Sequence, residues 1–206
     1  MIDALRARGI EVAALTDPKE ALRNTTIDGV PIVGDDSAWP VLRRDGVTHA
    51  FIGMGSIGDA SRRRELFGRV RAAGFEIISV IHPSAIISPN AALGRGAIVF
   101  AGAVINAGAV LGDNVIVNTA AVVEHDCNIG DHAHIATGAR LGASVHVGAG
   151  AHIGIGATIR QAISIGEDAI VGAGAAVVAD VPPGVTVAGV PAKTLVVMRK
   201  TAASQL

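Results

Sequence analysis

The stretch Val122 to Gly138, VVEHDCNIGDHAHIATG, holds three of the chain's seven histidines: His125, His132 and His134. Imidazole titrates near neutral pH and carries both a donor and an acceptor nitrogen. It can therefore act as a general base, a proton carrier or a metal ligand. His125 stands between Glu124 and Asp126, and a neighbouring carboxylate can orient the ring and stabilise the imidazolium that forms when it takes a proton. His132 and His134 form H-x-H, a pair that can chelate zinc from a strand. Which chemistry applies depends on where each side chain points.

That direction is set by a repeat. From Ile87 to Val177, every sixth residue is Ile, Leu or Val, sixteen in succession without a slip. Two residues before each stands Ala, except at Val115, Cys127, Val145 and Ile163. Each hexad thus turns one small and one branched side chain inward, as strand alternation requires, and fills its remaining positions with the turn formers Gly, Asn, Asp and Ser. Glycine also recurs every eighteen residues, at Gly94, Gly112, Gly130, Gly148 and Gly166. Three hexads per coil make a triangular prism of stacked short strands, about five coils from Ala85 to Asp180. A corner needing positive φ would select those glycines. In this register His125 is a corner residue two places after inward Val123. His134 precedes inward Ile135 and points out from a flat face. His132 falls at a corner, away from His134.

Composition agrees with such a core. Half of the 206 residues are apolar, yet there are only four Phe, one Trp and no Tyr. A net charge of −1 gives no electrostatic case for a nucleic acid or membrane partner. Cys127 is the single cysteine, so no internal disulfide forms, as expected of a cytoplasmic protein. MIDALRARG lacks the apolar run of a signal peptide.

Residues 1–82 alternate strand and helix patterns, which predicts a small α/β domain ahead of the prism domain at 83–206. MIDALRARG reads as the end of a helix closed by Gly9, GIEVAALTD as a strand and AWPVLRRD as a short helix. VTHAFIG reads as a strand, SRRRELFGRVRAAG as a helix and FEIISVI as a strand. Gly53-Met54-Gly55-Ser56-Ile57-Gly58 lies between a strand and a helix in a Rossmann-like pattern, without the acid that the dinucleotide fingerprint places at a strand end. Arg62 is the helix arginine best placed for a phosphate.

The hexads, E-H-D at Glu124–Asp126 and the terminal G-V-P-A-K at Gly189–Lys193 together resemble the hexapeptide-repeat sugar acetyltransferases. More narrowly, they resemble the nucleotide-amino-sugar N-acetyltransferases and sialic acid O-acetyltransferases. The resemblance covers nearly the whole chain. It implies a left-handed parallel β-helix behind a Rossmann-like subdomain, which here lacks the family's first strand and glycine-rich loop, as though the sequence begins late. It implies acetyl-CoA as cosubstrate without a metal, a nucleotide-linked amino sugar (expected to be a 4-amino-4,6-dideoxy sugar) as acceptor, and a homotrimer making bacterial surface glycans.

By the same resemblance, His125 is the general base and Asp126 orients it. His134 contacts the thioester from a neighbouring subunit. Ala143, Ile155 and Ala173 touch coenzyme A through their backbone, with the Ala143 N–H as oxyanion donor. Pro191 and Lys193 lie near the adenosine. Asn118 reaches the acceptor sugar, and Asp17, Gly53 and Gly55 lie on the nucleotide side. The column Gly102, Ala120, Gly138, Gly156, Gly174 is free of large side chains and could carry the pantetheine, or could be only a tight corner. Other readings are sugar O-acetylation, a zinc enzyme like the hexapeptide carbonic anhydrases, and an inactive scaffold.

Overall fold

The computed structural model describes residues 1–195; the last part of the predicted 83–206 domain, residues 196–206, lies outside the described residues. From Val80 onward the chain winds as a parallel β-solenoid of about six turns. Two-residue strands begin every six residues and pair in parallel with strands eighteen residues away, as in Ile116↔His134 and Val122↔Arg140. Three flat faces result. The first carries Ile98, Ile116, His134, His152 and Ile170, the second Ile86, Val104, Val122, Arg140 and Thr158, and the third Val110, Asn128, His146 and Ser164. The inward series of the sequence reading forms the core, with Ile105, Val123, Ile135, Val147 and Ile153 all at 0 % exposure. Hydrogen bonding extends past both predicted ends. Val80–Ile81 pairs with Ile98–Val99, and Thr186–Ala188 closes the far end against Ile170–Val171 and Lys193–Thr194.

The corner glycines have a different cause from the expected one. Gly94, Gly112, Gly130, Gly148 and Gly166 do not have positive φ. They are glycine because the next coil passes too close: a Cβ on Gly148 would lie 2.5 Å from the Glu167 nitrogen, and one on Gly94 2.4 Å from the Gly112 carbonyl carbon. Positive φ falls two residues later and recurs every six residues from Gly96 to Gly174, at residues such as Asn114, Asp126, His132, Gly138 and Asp168. Asn, Asp and Gly bear this left-handed conformation at least cost.

The N-terminal region is less regular than predicted. Helix α1 spans Ile2–Arg6 and is followed by Gly9 at φ +72°. GIEVAALTD is not a strand: it bonds residues 31–34 through Leu15 and Asp17 alone, because Ile10–Ala14 has no strand to pair with among the described residues. A hairpin of Thr26–Ile27 against Val30–Pro31 lies where no element was predicted. Helix α2 (Trp39–Arg44) and helix α3 (Ser61–Ala72) form where expected. FEIISVI is broken. Glu76–Ile77 pairs with His49–Ala50, and after Ser79 the chain joins the prism. Helix α3 buries Arg63, Phe67 and Val70, a stripe at helical spacing, and Phe67 stands edge-on to His132 of the prism with centroids 5.6 Å apart.

Candidate active site

His125 sits on the corner between the second and third faces, in the turn between Val122–Val123 and Asn128–Ile129. Several contacts shape this turn. Asp126 has φ +61°, which directs its side chain back toward the ring, and its Oδ2 lies 2.8 Å from His125 Nδ1. Glycine at 108, one coil below, makes room for that carboxylate, since a Cβ there would lie 2.3 Å from Asp126 Oδ1. Glu124 Oε2 accepts from Asn106 Nδ2 at 2.9 Å and from the His125 N–H at 3.3 Å. The carboxylate of Asp126 accepts only if Nδ1 carries hydrogen, so the neutral ring presents a lone pair at Nε2. The side chain is 57 % exposed, and the alanines above and below it in the column, Ala107 and Ala143, leave space around the ring. Among the described residues the Ala143 N–H has no protein acceptor.

His134 is elsewhere. It projects from the first face, as its register requires, but it is not open: it is 7 % exposed, because the Gly53–Gly58 turn folds over it. Its Nδ1 lies 2.6 Å from the Ser56 carbonyl, its Nε2 is 3.3 Å from Asn118 Nδ2, and its ring meets His152 edge-on at 5.0 Å. Burial pushes its imidazole down to about 4, so the ring is neutral at pH 7. The exposed face residue expected at 134 is therefore corrected to a buried one. His132 is buried in part against α3 and bonds Asn114 Nδ2 at 2.9 Å. H-x-H does not converge, since His132 turns to Asn114 and His134 to Ser56. Among the described residues no three His, Cys, Asp or Glu side chains group as a metal site.

The remaining predicted residues divide by corner. Ala143 belongs to the His125 corner. Thr119, Ile155 and Ala173 stack at the corner between the first and second faces, beside Asn118, with Ile155 62 % exposed. The column of Gly102, Ala120, Gly138, Gly156 and Gly174 follows that corner, with φ between +54° and +66° throughout, and nothing within 4 Å would meet a Cβ at Gly138, Gly156 or Gly174. Pro191 and Lys193 are exposed at the far end of the prism. Asp17 caps its own turn, accepting from the Lys19 N–H at 2.8 Å. Gly53 lies near Phe51 and Met1, Gly55 is open, and Gly58 packs on Ile170. A single chain thus does not bring His125 and His134 together, because His125 stands at the corner between the second and third faces and His134 projects from the first.

Comparison with solved structures gives the family. The chain is 43% identical to perosamine N-acetyltransferase from Caulobacter crescentus, solved as a histidine-to-asparagine mutant in complex with CoA and GDP-perosamine, with a TM-score of 0.88 over 94% of this chain and 90% of that one. It is also similar to the acetyltransferase domain of PglB from Neisseria gonorrhoeae, in complex with acetyl coenzyme A, at 36% identity and a TM-score of 0.85 over 94% of this chain and 91% of that one. The chain belongs to the hexapeptide-repeat sugar acetyltransferases. WeeI from Acinetobacter baumannii shares the architecture at 26% identity and a TM-score of 0.72, covering 94% of this chain and 92% of that one. No protein-family model matches the chain, and no curated protein matches it. The solenoid is thus the left-handed β-helix of an acetyl-CoA-dependent sugar acetyltransferase.

Arg63 is a site-side residue that sequence reasoning missed. Arg63 is 0 % exposed and lies on the same helical stripe as Phe67 and Val70, which is the signal that distinguishes it from its exposed neighbours. Burial lowers its guanidinium to about 10.

Proposed function

We propose that this protein transfers the acetyl group of acetyl-CoA to the amine of a nucleotide-linked amino sugar, with a 4-amino-4,6-dideoxy sugar as the favoured acceptor. One observation carries the reading: 43% identity, over nearly the full length of both chains, to an enzyme solved with CoA and GDP-perosamine. In this mechanism the His125 Nε2 lone pair takes a proton from the attacking amine as nitrogen adds to the thioester carbonyl. Asp126 stabilises the imidazolium that results, and the Ala143 N–H donates to the oxyanion. The C–S bond then breaks, and the proton passes from His125 to the departing thiolate.

The working form is a homotrimer packed on the second face, where Ile86 is 66 % exposed above Val104 and Val122. That packing brings the His125–Ala143 corner of one copy against the Asn118–Ile155–Ala173 corner of the next. Acetyl-CoA lies between them along the open glycine strip, reaching Pro191 and Lys193 at its adenosine end. Asp17, Gly53 and Gly55 serve the nucleotide, and the enzyme acts in the cytoplasm on precursors of a surface glycan. No helix among the described residues is long and apolar enough to cross a membrane. The test is thiol release from acetyl-CoA with a panel of GDP-, UDP- and dTDP-linked amino sugars and sialic acids. Turnover is expected with at least one amine acceptor, falling at least about 100-fold in His125→Ala. Full activity in that variant overturns the mechanism, and turnover with hydroxyl acceptors alone makes the protein an O-acetyltransferase.

A further inference from the structure

The buried contacts of Arg63 lead from helix α3 to Asn118. Arg63 makes no ion pair among the described residues. Its two terminal nitrogens donate to the Asn114 and His132 carbonyls, the same corner of successive coils, and its Nε donates to Ser56 Oγ at 3.3 Å. One side chain therefore ties two coils to the Gly53–Gly58 turn. The Ser56 carbonyl in that turn lies 2.6 Å from His134 Nδ1. An oxygen so close requires hydrogen on Nδ1, since two lone pairs would otherwise face each other. Burial of the ring above all, with the nearby His152 and the positive charge of Arg63, opposes a second proton, so Nε2 keeps its lone pair. The amide of Asn118 is oriented independently. The Thr119 N–H donates to its Oδ1 at 2.8 Å, which turns Nδ2 toward His134 Nε2, 3.3 Å away. The second Nδ2 hydrogen has no protein acceptor among the described residues.

We infer that His134 is a positioning residue: held as the Nδ1–H tautomer by the Ser56 carbonyl, it fixes the Asn118 amide so that the free Nδ2–H faces the acceptor, with Arg63 anchoring the turn. This rests on Asn118 contacting the acceptor in the reading above. It also changes the expected part of His134, because a ring with only a lone pair at Nε2 has no hydrogen to donate to a thioester carbonyl.

Two measurements test it. Long-range 1H–15N spectra of the full chain labelled with 15N-histidine report the tautomer at pH 7, with His134 assigned by the signals lost in His134→Phe. The expected result is a neutral Nδ1–H ring; an Nε2–H tautomer or a cation overturns the proposal. These spectra need no substrate, so they judge the tautomer even where the acceptor assignment fails. Kinetically, His134→Phe should raise the KM for the amino sugar as Asn118→Ala does and leave the KM for acetyl-CoA unchanged. The double variant should lose no more than the worse single one, within about twofold. A raised acetyl-CoA KM with the sugar KM unchanged, or losses that multiply, also overturns it.

Discussion

Replacing Asp126 by Asn asks how buried the His125 corner is when the enzyme works. Asn tolerates positive φ about as well as Asp, so the turn at φ +61° survives. Its amide oxygen can still accept from His125 Nδ1, and only the charge is lost. In the single chain His125 and Asp126 are 57 % and 65 % exposed. At that exposure an ion pair contributes about 0.2–1 kcal/mol, so Asn would cost at most about fivefold in kcat/KM. If a second copy and the substrates cover the corner, the carboxylate faces the imidazolium out of water. A hydrogen bond to a charged group then contributes about 1.5–3 kcal/mol, and the loss becomes roughly 10- to 150-fold. The trimeric reading predicts the larger range. The assay is thiol release at saturating and limiting acceptor, with Asp126→Ala as a control that adds backbone strain. A loss below about fivefold would refute the covered site and leave the corner as open in the enzyme as in the isolated chain.

Two glycine substitutions should separate the two reasons for glycine in the prism. Gly148→Ala drives a Cβ into the Glu167 backbone and should cost about 1–3 kcal/mol, whereas Gly138→Ala meets nothing within 4 Å and should cost about 1 kcal/mol; denaturant midpoints give the order, and Ala120 already holds φ +54° in the Gly138 column. Stability should fall as pH drops from about 6.5 toward 4. There the unfolded chain binds a proton that His134, depressed to about 4, does not, which amounts to roughly 3 kcal/mol. Thermal melts between pH 7 and pH 5 should show this slope, flattened in His134→Phe. Cys127 is 1 % exposed, with its thiol pushed up by burial. Cys127→Ala should therefore keep turnover within about twofold, and the native thiol should resist a thiol reagent until the protein is denatured; a strong loss of turnover would give it a chemical part.

The prism was legible along its hexads from Ala85 to Asp180 because a repeat reports itself many times, while the strands that extend it at either end lie outside the repeat. Each hexad places one small and one branched residue inward, and the pairing of residues eighteen apart follows from that spacing alone. The same register put His125 on a corner with a carboxylate beside it. Where a single copy of an element had to be read, the sequence was weaker. GIEVAALTD has strand composition, but among the described residues Ile10–Ala14 finds no strand to pair with, and FEIISVI serves two sheets because the chain must turn from one unit into the next.

What lay beyond the sequence was contact between distant segments. The repeat fixes that His134 points away from the core, but not that the Gly53–Gly58 turn covers it, since residues 56 and 134 meet only once helix α3 has docked on the prism. The glycine at every eighteenth residue was visible, but its cause was not: a close approach between coils and a positive φ both select glycine, and only the folded prism sets them two residues apart. Sequence alone determined the three-sided prism and the corner position of His125 beside a carboxylate, because both depend on local spacing. Tertiary structure decided the protonation of His134, the orientation of Asn118 and the burial of Arg63, because each depends on which groups replace water around it.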